Sequence, residues 1–232
     1  MDHAVIETLA LTLGAGWASG LNLYATILTL GLMNAAGYVG LPEGLQLLSD
    51  PLVLAAAGFM YFIEFFADKT PGVDSGWDGL HTFIRIPAGA LMAAGAAGGF
   101  EMNEAVQFAS ALVGGALAAG SHLTKAGSRI MINTSPEPVS NWTASFAEDI
   151  AVIGGLWAAL AHPEVFLVLL VLFILLMVWL LPKLWRGARS VLRRLGSLFG
   201  KRDENASTGE RVGKSRRDVL AELYRDAKNN PD

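Results

Sequence analysis

The chain contains no cysteine. That excludes a disulfide framework and thiolate chemistry, and it leaves the redox compartment undetermined. Charge is scarce: 16% of the 232 residues are charged against 53% hydrophobic, where a soluble domain carries about a quarter charged. Lysine and arginine are absent before Lys69, so the N-terminus has no basic signal-peptide region. The first apolar segment is therefore expected to be retained. No Walker-type Gly-Lys-Ser/Thr loop, Gly-x-Ser-x-Gly elbow or His-Glu-x-x-His motif occurs. No cofactor is expected, and nothing points to nucleic acid.

What the chain does have is apolar length. A hydrocarbon core about 30 Å thick needs roughly 20 apolar residues per crossing helix. Six segments approach that: Leu9–Met33, Pro51–Ala67, Thr82–Gly98, Ala105–Thr124, Trp142–Ala161 and Val165–Leu181. The expected fold is an all-α integral membrane domain over 1–182, a six-helix bundle. The third and fourth segments are rich in Gly and Ala, which allow close helix approach in lipid. They are expected inside the bundle, with the Leu/Val/Phe-rich sixth facing lipid.

The connections at Asn34–Asp50, Phe100–Glu104 and His162–Glu164 hold Glu43, Asp50, Glu101, Glu104 and Glu164 but no Lys or Arg. All cationic residues fall on the other side, at Asp68–His81, Lys125–Asn141 and the tail, or at helix ends bordering it. The positive-inside rule then predicts both termini on the cytoplasmic side, and the membrane is expected to be a bacterial inner membrane. Residues 183–202 mix Leu, Trp, Val and Phe with Lys and Arg, which suits a juxtamembrane helix against anionic headgroups or a plain stop-transfer flank. Residues 203–232 read as a largely disordered cytoplasmic tail with a short helix near 215–228.

Gly14–Ala25 can be laid over Gly114–Lys125, matching Gly14 with Gly114, Gly20 with Gly120 and Asn22 with His122; Phe65–Asp68 echoes Phe146–Asp149 more weakly. Read as a repeat, the halves 8–99 and 105–182 have three spans each, a 3+3 inverted-topology layout. Read otherwise, Gly/Ala-rich helices simply resemble one another by composition.

Two irregular polar loops are expected on the cytoplasmic side, with Pro87 and Gly127 helping to break helices there. Charges lie within or beside the spans: Glu64, Asp68, Arg85, Lys125, Arg129, Glu148 and Asp149. Each costs about 3 kcal/mol near the bilayer centre, so such residues pair or line an aqueous path. Arg85, Lys125 and Arg129, with the polar Asn22 and Asn141, are candidates for binding an anionic solute. Glu64, Asp68, Glu148, Asp149 and His122 are candidates for charge pairing or proton relay. Asp74, Asp78 and His81 could ligate a divalent metal. For each group the competing reading is structural: interfacial ion pairs, or a satisfied buried histidine.

Gly20-Leu-Asn-Leu-Tyr-Ala25, Pro71–Asp78 with His81–Arg85, and Asn141-Trp142 followed by Glu148-Asp149 resemble a bacterial membrane family catalogued only as a domain of unknown function, number 4126. The resemblance spans about Leu9–Leu181. It implies an integral membrane protein and brings no activity, substrate or catalytic residue. The residues themselves favour a small transporter or permease for an anionic or proton-coupled solute over an enzyme. The alternatives are an intramembrane enzyme acting on lipid headgroups and a non-catalytic scaffold. Membrane lipids, an unnamed small solute and a second copy of the chain are the admissible partners.

Overall fold

The computed structural model describes residues 3–70, 72–98, 104–134, 138–191, 193 and 220–221. Among these there is helix and no strand. The helices are α1 (His3–Leu21), α2 (Leu23–Ala35), a short 3-10 helix (Glu43–Ser49), α3 (Pro51–Ala67), α4 (Val73–Ala97), α5 (Glu104–Ile132), α6 (Pro138–Ala161) and α7 (Pro163–Val191). The chain divides into a helical unit, Met1–Trp185, and a second unit, Arg186–Asp232. In the second unit the described residues, 186–191, 193 and 220–221, are helical. The rest of the expected basic segment and tail, and the turn at Glu101, lie outside the described residues.

Among the described residues four helices are long and apolar enough to cross a membrane: α1, α5, α6 and α7. A fifth crossing arises if the 3-10 helix and α3, bent by 66°, count as one. Asp50 starts α3, its carboxylate accepting from the Leu52 and Val53 amides, with Pro51 in the first turn. α4 is as long as a span but carries Asp74, Asp78 and Arg85.

Leu9–Met33, expected as one span, is two helices. Asn22 is extended between them, and its side chain accepts from the Ala25 amide to cap α2. The two helices run in opposite directions. Along α1, Gly14 lies against Ala159, Trp17 against Gly155 and Asn22 against Asp149, so α1 is antiparallel to α6. α3 is also antiparallel to α6, with Phe65 on Phe146 and Lys69 on Ser145. α2 opposes α3, with Gly31 near Leu54 and Leu28 near Gly58. α1–Asn22–α2 is therefore a helical hairpin.

Directions then alternate along the chain through all seven α-helices. Leu184 near the C-terminal end of α7 packs on Gly127, while Phe166 at its start packs on Trp17 of α1. His3 and Leu184 consequently lie at opposite ends of the helical unit. The expectation that both termini share one side counted 9–33 as a single crossing, where the structure has two helices of opposite direction.

The repeat expectation also changes. Gly16 meets Gly114 and Gly20 meets Ala118, so α1 and α5 run parallel. An inverted repeat built on Gly14–Ala25 and Gly114–Lys125 requires them to be opposed.

The expected polar loops are mostly helix. α4 is continuous from Val73 through Pro87, and α5 runs past Gly127 to Ile132. What remains irregular among the described residues is the turn after α3, closed by Gly72 at φ 85°, and Asn133–Thr134 after α5. The Gly/Ala surfaces do pack inside as expected. At Gly16, Gly20, Gly89 and Gly114 the neighbouring helix leaves no room for a Cβ. α7 exposes most of its apolar surface, as a lipid-facing helix would.

Candidate functional site

Helical spacing gathers the polar residues at one level of the bundle. Glu64 and Asp68 are one turn apart at the end of α3, and Lys125 and Arg129 are one turn apart on α5. Asp74, Asp78, His81 and Arg85 recur every three or four residues on α4, so they share a face. Asn141, Ser145, Glu148 and Asp149 do the same on α6.

Lys125 is the hub. Its Nζ lies 2.7 Å from Asp68, 3.4 Å from Glu148, 3.5 Å from Glu64 and 3.8 Å from Asp78. Arg85 bridges Glu64 at 2.6 Å and Asp78 at 3.1 Å through different guanidinium nitrogens. Arg129 pairs with Glu148 at 2.7 Å and also donates to the Asp68 and Asn141 carbonyls. Glu64, Asp78, Arg85 and Arg129 are fully buried. Burying charges is unfavourable unless pairing offsets it, and removing one partner from such a pair costs about 3–5 kcal/mol.

Several buried atoms in this network have no hydrogen-bond partner: Glu64 Oε2, Asp68 Oδ1, Asp78 Oδ2 and the Nε atoms of Arg85 and Arg129. At the turn outside α3, burial pushes the Asp68 carboxyl up, but Lys125 and Arg129 outweigh burial and hold it below the usual carboxylate range. Burial pushes the neighbouring Lys69 ammonium below the ordinary lysine value, against the pull of Asp149 and Asp68. Lys69 sits over the Phe65 ring at 3.1 Å from its centroid and donates to Ser145.

The tip of the α1–α2 hairpin enters this network. The Leu21 carbonyl, at the C-terminal end of α1, accepts from Lys125 Nζ at 3.2 Å. Asn22 Nδ2 donates to Asp149 at 3.0 Å, beside the N-terminus of α2. A cation thus meets a helix C-terminus and a carboxylate stands near a helix N-terminus, the favourable sense of both dipoles. Asn22 is level with the His81–Arg85 stretch of α4, since Ser19 reaches the Arg85 carbonyl and Tyr24 reaches His81. α4 begins at Val73, so it continues about 12 to 18 Å beyond the tip at 1.5 Å per residue.

Of the residues singled out from sequence, Arg85, Lys125, Arg129, Glu64, Asp68 and Glu148 form one network. Asn22 and Asp149 join it at the hairpin tip. Asn141 holds Arg129 through its carbonyl and donates to Asn133 at 2.9 Å. His122 lies 2.8 Å from the Thr82 hydroxyl and 3.3 Å from Arg85. The Asp74, Asp78 and His81 trio is not brought together: Asp74 accepts from Asn133 at 2.8 Å, Asp78 faces Arg85, and His81 contacts Tyr24 and the Trp77 carbonyl. Among the described residues no set of three or more acidic, His or Cys side chains could hold a metal ion.

Sequence reasoning missed Tyr24, Tyr61, Lys69, Thr82 and Asn133. Tyr61 had a legible signal, because it precedes Glu64 by three positions on an apolar helix. An open apolar groove of about 840 Å³ runs between α2 and α6, with Leu28 and Leu32 facing Ile153 and Trp157. Its lining includes Ala25 and Tyr61, and Tyr61 faces the Asp149 carboxylate.

No curated protein and no solved structure matches the chain. Residues 9–183 match the family described as Domain of unknown function (DUF4126), and the chain belongs to that family.

Proposed function

We propose that the protein is a small proton-coupled transporter of a bacterial inner membrane. The observation that carries this reading is the α1–Asn22–α2 hairpin, whose buried tip meets an ionic network part-way along the bundle. Helices broken at membrane depth, with their ends turned toward a polar site, are how many secondary transporters hold substrate and coupling ions. Backbone interrupted at that depth is tolerated only where protein or a water-lined cavity satisfies it.

The charge balance favours proton coupling over capture of an anion. Arg85, Lys125 and Arg129 are each already engaged by carboxylates, so these three are not free to take an anionic solute. The groove between α2 and α6 supports a solute path reaching Tyr61 and Asp149. In this reading the network end faces the cytoplasm, because Lys69 and the cationic end of α7 lie there and the opposite connections carry no Lys or Arg. The N-terminus then faces the other side.

Uptake of a small-metabolite mixture into proteoliposomes, with and without an inward proton gradient, tests the reading. At least one solute should accumulate above protein-free liposomes, more strongly with the gradient, and Asn22→Ala should reduce that uptake at least tenfold. No accumulation of any solute, or uptake indifferent to Asn22→Ala, would count against it.

A further inference from the structure

The ionic network is not neutral. Three cations, Arg85, Lys125 and Arg129, face four carboxylates, Glu64, Asp68, Asp78 and Glu148. Widening the circle to Lys69 and Asp149 adds one charge of each sign and leaves the excess unchanged. An uncompensated buried anion is unfavourable enough that such groups neutralise instead.

Histidine does not make up the difference. Arginine has no acceptor, so a ring nitrogen 3.3 Å from Arg85 Nη1 accepts from it, and His122 is neutral. His81 directs Nδ1 to the Trp77 carbonyl and Nε2 to the Tyr24 hydroxyl, an arrangement a neutral ring satisfies.

The missing positive charge belongs where burial is complete and partners are lacking. At the side chain Glu148 is 14% exposed and Asp68 4%, against 1% for Asp78 and 0% for Glu64. Each of these two gives one oxygen to Arg85, and each has a second oxygen, Oε2 or Oδ2, with no hydrogen-bond partner. The charged and titratable groups around them are Tyr24 from α2, Tyr61 from α3, Asp68 after it, His81 and Arg85 from α4, His122, Lys125 and Arg129 from α5, and Glu148 and Asp149 from α6. None adds a cation beyond the three already counted.

We infer that Glu64 and Asp78, on either side of Arg85, bind one exchangeable proton between them. It resides on one of the two unpartnered oxygens while the other carboxyl stays ionised. Two carboxyls this close to one guanidinium titrate as a pair, not as two independent sites. The inference deepens the transport reading by naming its coupling ion and the side chains that hold it, and it rests on that reading only for the word coupling.

Infrared spectroscopy of the purified full-length protein in detergent reads the proton directly. At neutral pH the wild type should show a carboxylic-acid C=O band that shifts in D2O. Glu64→Gln and Asp78→Asn should each abolish it, because removing either carboxylate leaves three anions against three cations. Glu148→Gln is balanced the same way and should abolish it too, whereas Glu43→Gln, at an exposed carboxyl outside the network, should retain it. A wild type without the band, or a band that survives both Glu64→Gln and Asp78→Asn, would overturn the inference. A band lost in only one of those two would contradict the charge balance on which the inference rests; with aspartate carboxyls 13C-labelled, part of the wild-type band should shift, and a band that shifts wholly or not at all would place the proton on one carboxyl and overturn the sharing. Should the variants not fold, the wild-type spectrum still decides the first point. A protein with the band but no solute uptake would sink the transport reading alone, and uptake without the band would sink this one alone.

Discussion

Lys125 places one ammonium within 3.8 Å of four carboxylates, so cation and anion substitutions should not be equivalent there. Lys125→Met leaves two cations against four carboxylates and should cost about 3–5 kcal/mol, the range for breaking a buried pair. Glu64→Gln keeps the shape and leaves three against three, so it should cost clearly less. Thermal denaturation in detergent checks the order, and equal losses would contradict the charge accounting. These partners come from distant points in the chain: Asn22 meets Asp149 across 127 positions, and Lys125 meets Asp68 across 57. The residue types were legible in the sequence as charges within spans. Which would pair was not, because only the tertiary fold sets those distances.

At the scale of helices, α5, α6 and α7 follow from apolar length and their small-residue or lipid-facing composition. The hairpin was harder to read. Leu9–Met33 carries no charged residue and no proline, and its clearest sign of a break is Asn22, a residue that favours the cap position. The start of α4 was hidden for the opposite reason. Asp74, Ser75, Gly76, Asp78 and Gly79 resemble a loop in composition, yet Asp74, Asp78, His81 and Arg85 lie on one helical face and are satisfied by other helices. Packing of α1 on α5 gives a further prediction. A Cβ at Gly20 meets the Ala118 backbone, whereas one at Gly154 meets nothing within 4 Å. Gly20→Leu should destabilise by at least about 1–3 kcal/mol through overpacking, and Gly154→Leu should not destabilise, since leaving Gly in a helix interior is itself favourable. Melting temperatures of the two variants should therefore move apart, and a matching loss in both would refute the α1–α5 contact.

For the whole molecule, the multi-helix membrane character was legible in the sequence, while the division of Leu9–Met33 into two helices was not. Among the described residues, His3 and the connections at 36–50 and 162–164, which carry no Lys or Arg, lie at one end of the helical unit. The absence of native cysteine makes the topology directly measurable, since single cysteines need no background removed. Labelling of intact cells and inverted vesicles with a membrane-impermeant thiol reagent, applied to His3→Cys, Gly40→Cys, Thr70→Cys and Thr134→Cys, is the most direct test. The hairpin requires His3→Cys and Gly40→Cys to react from one side of the membrane and Thr70→Cys and Thr134→Cys from the other. Reaction of His3→Cys from the same side as Thr70→Cys, opposite Gly40→Cys, would show that the first segment crosses once and would contradict the account.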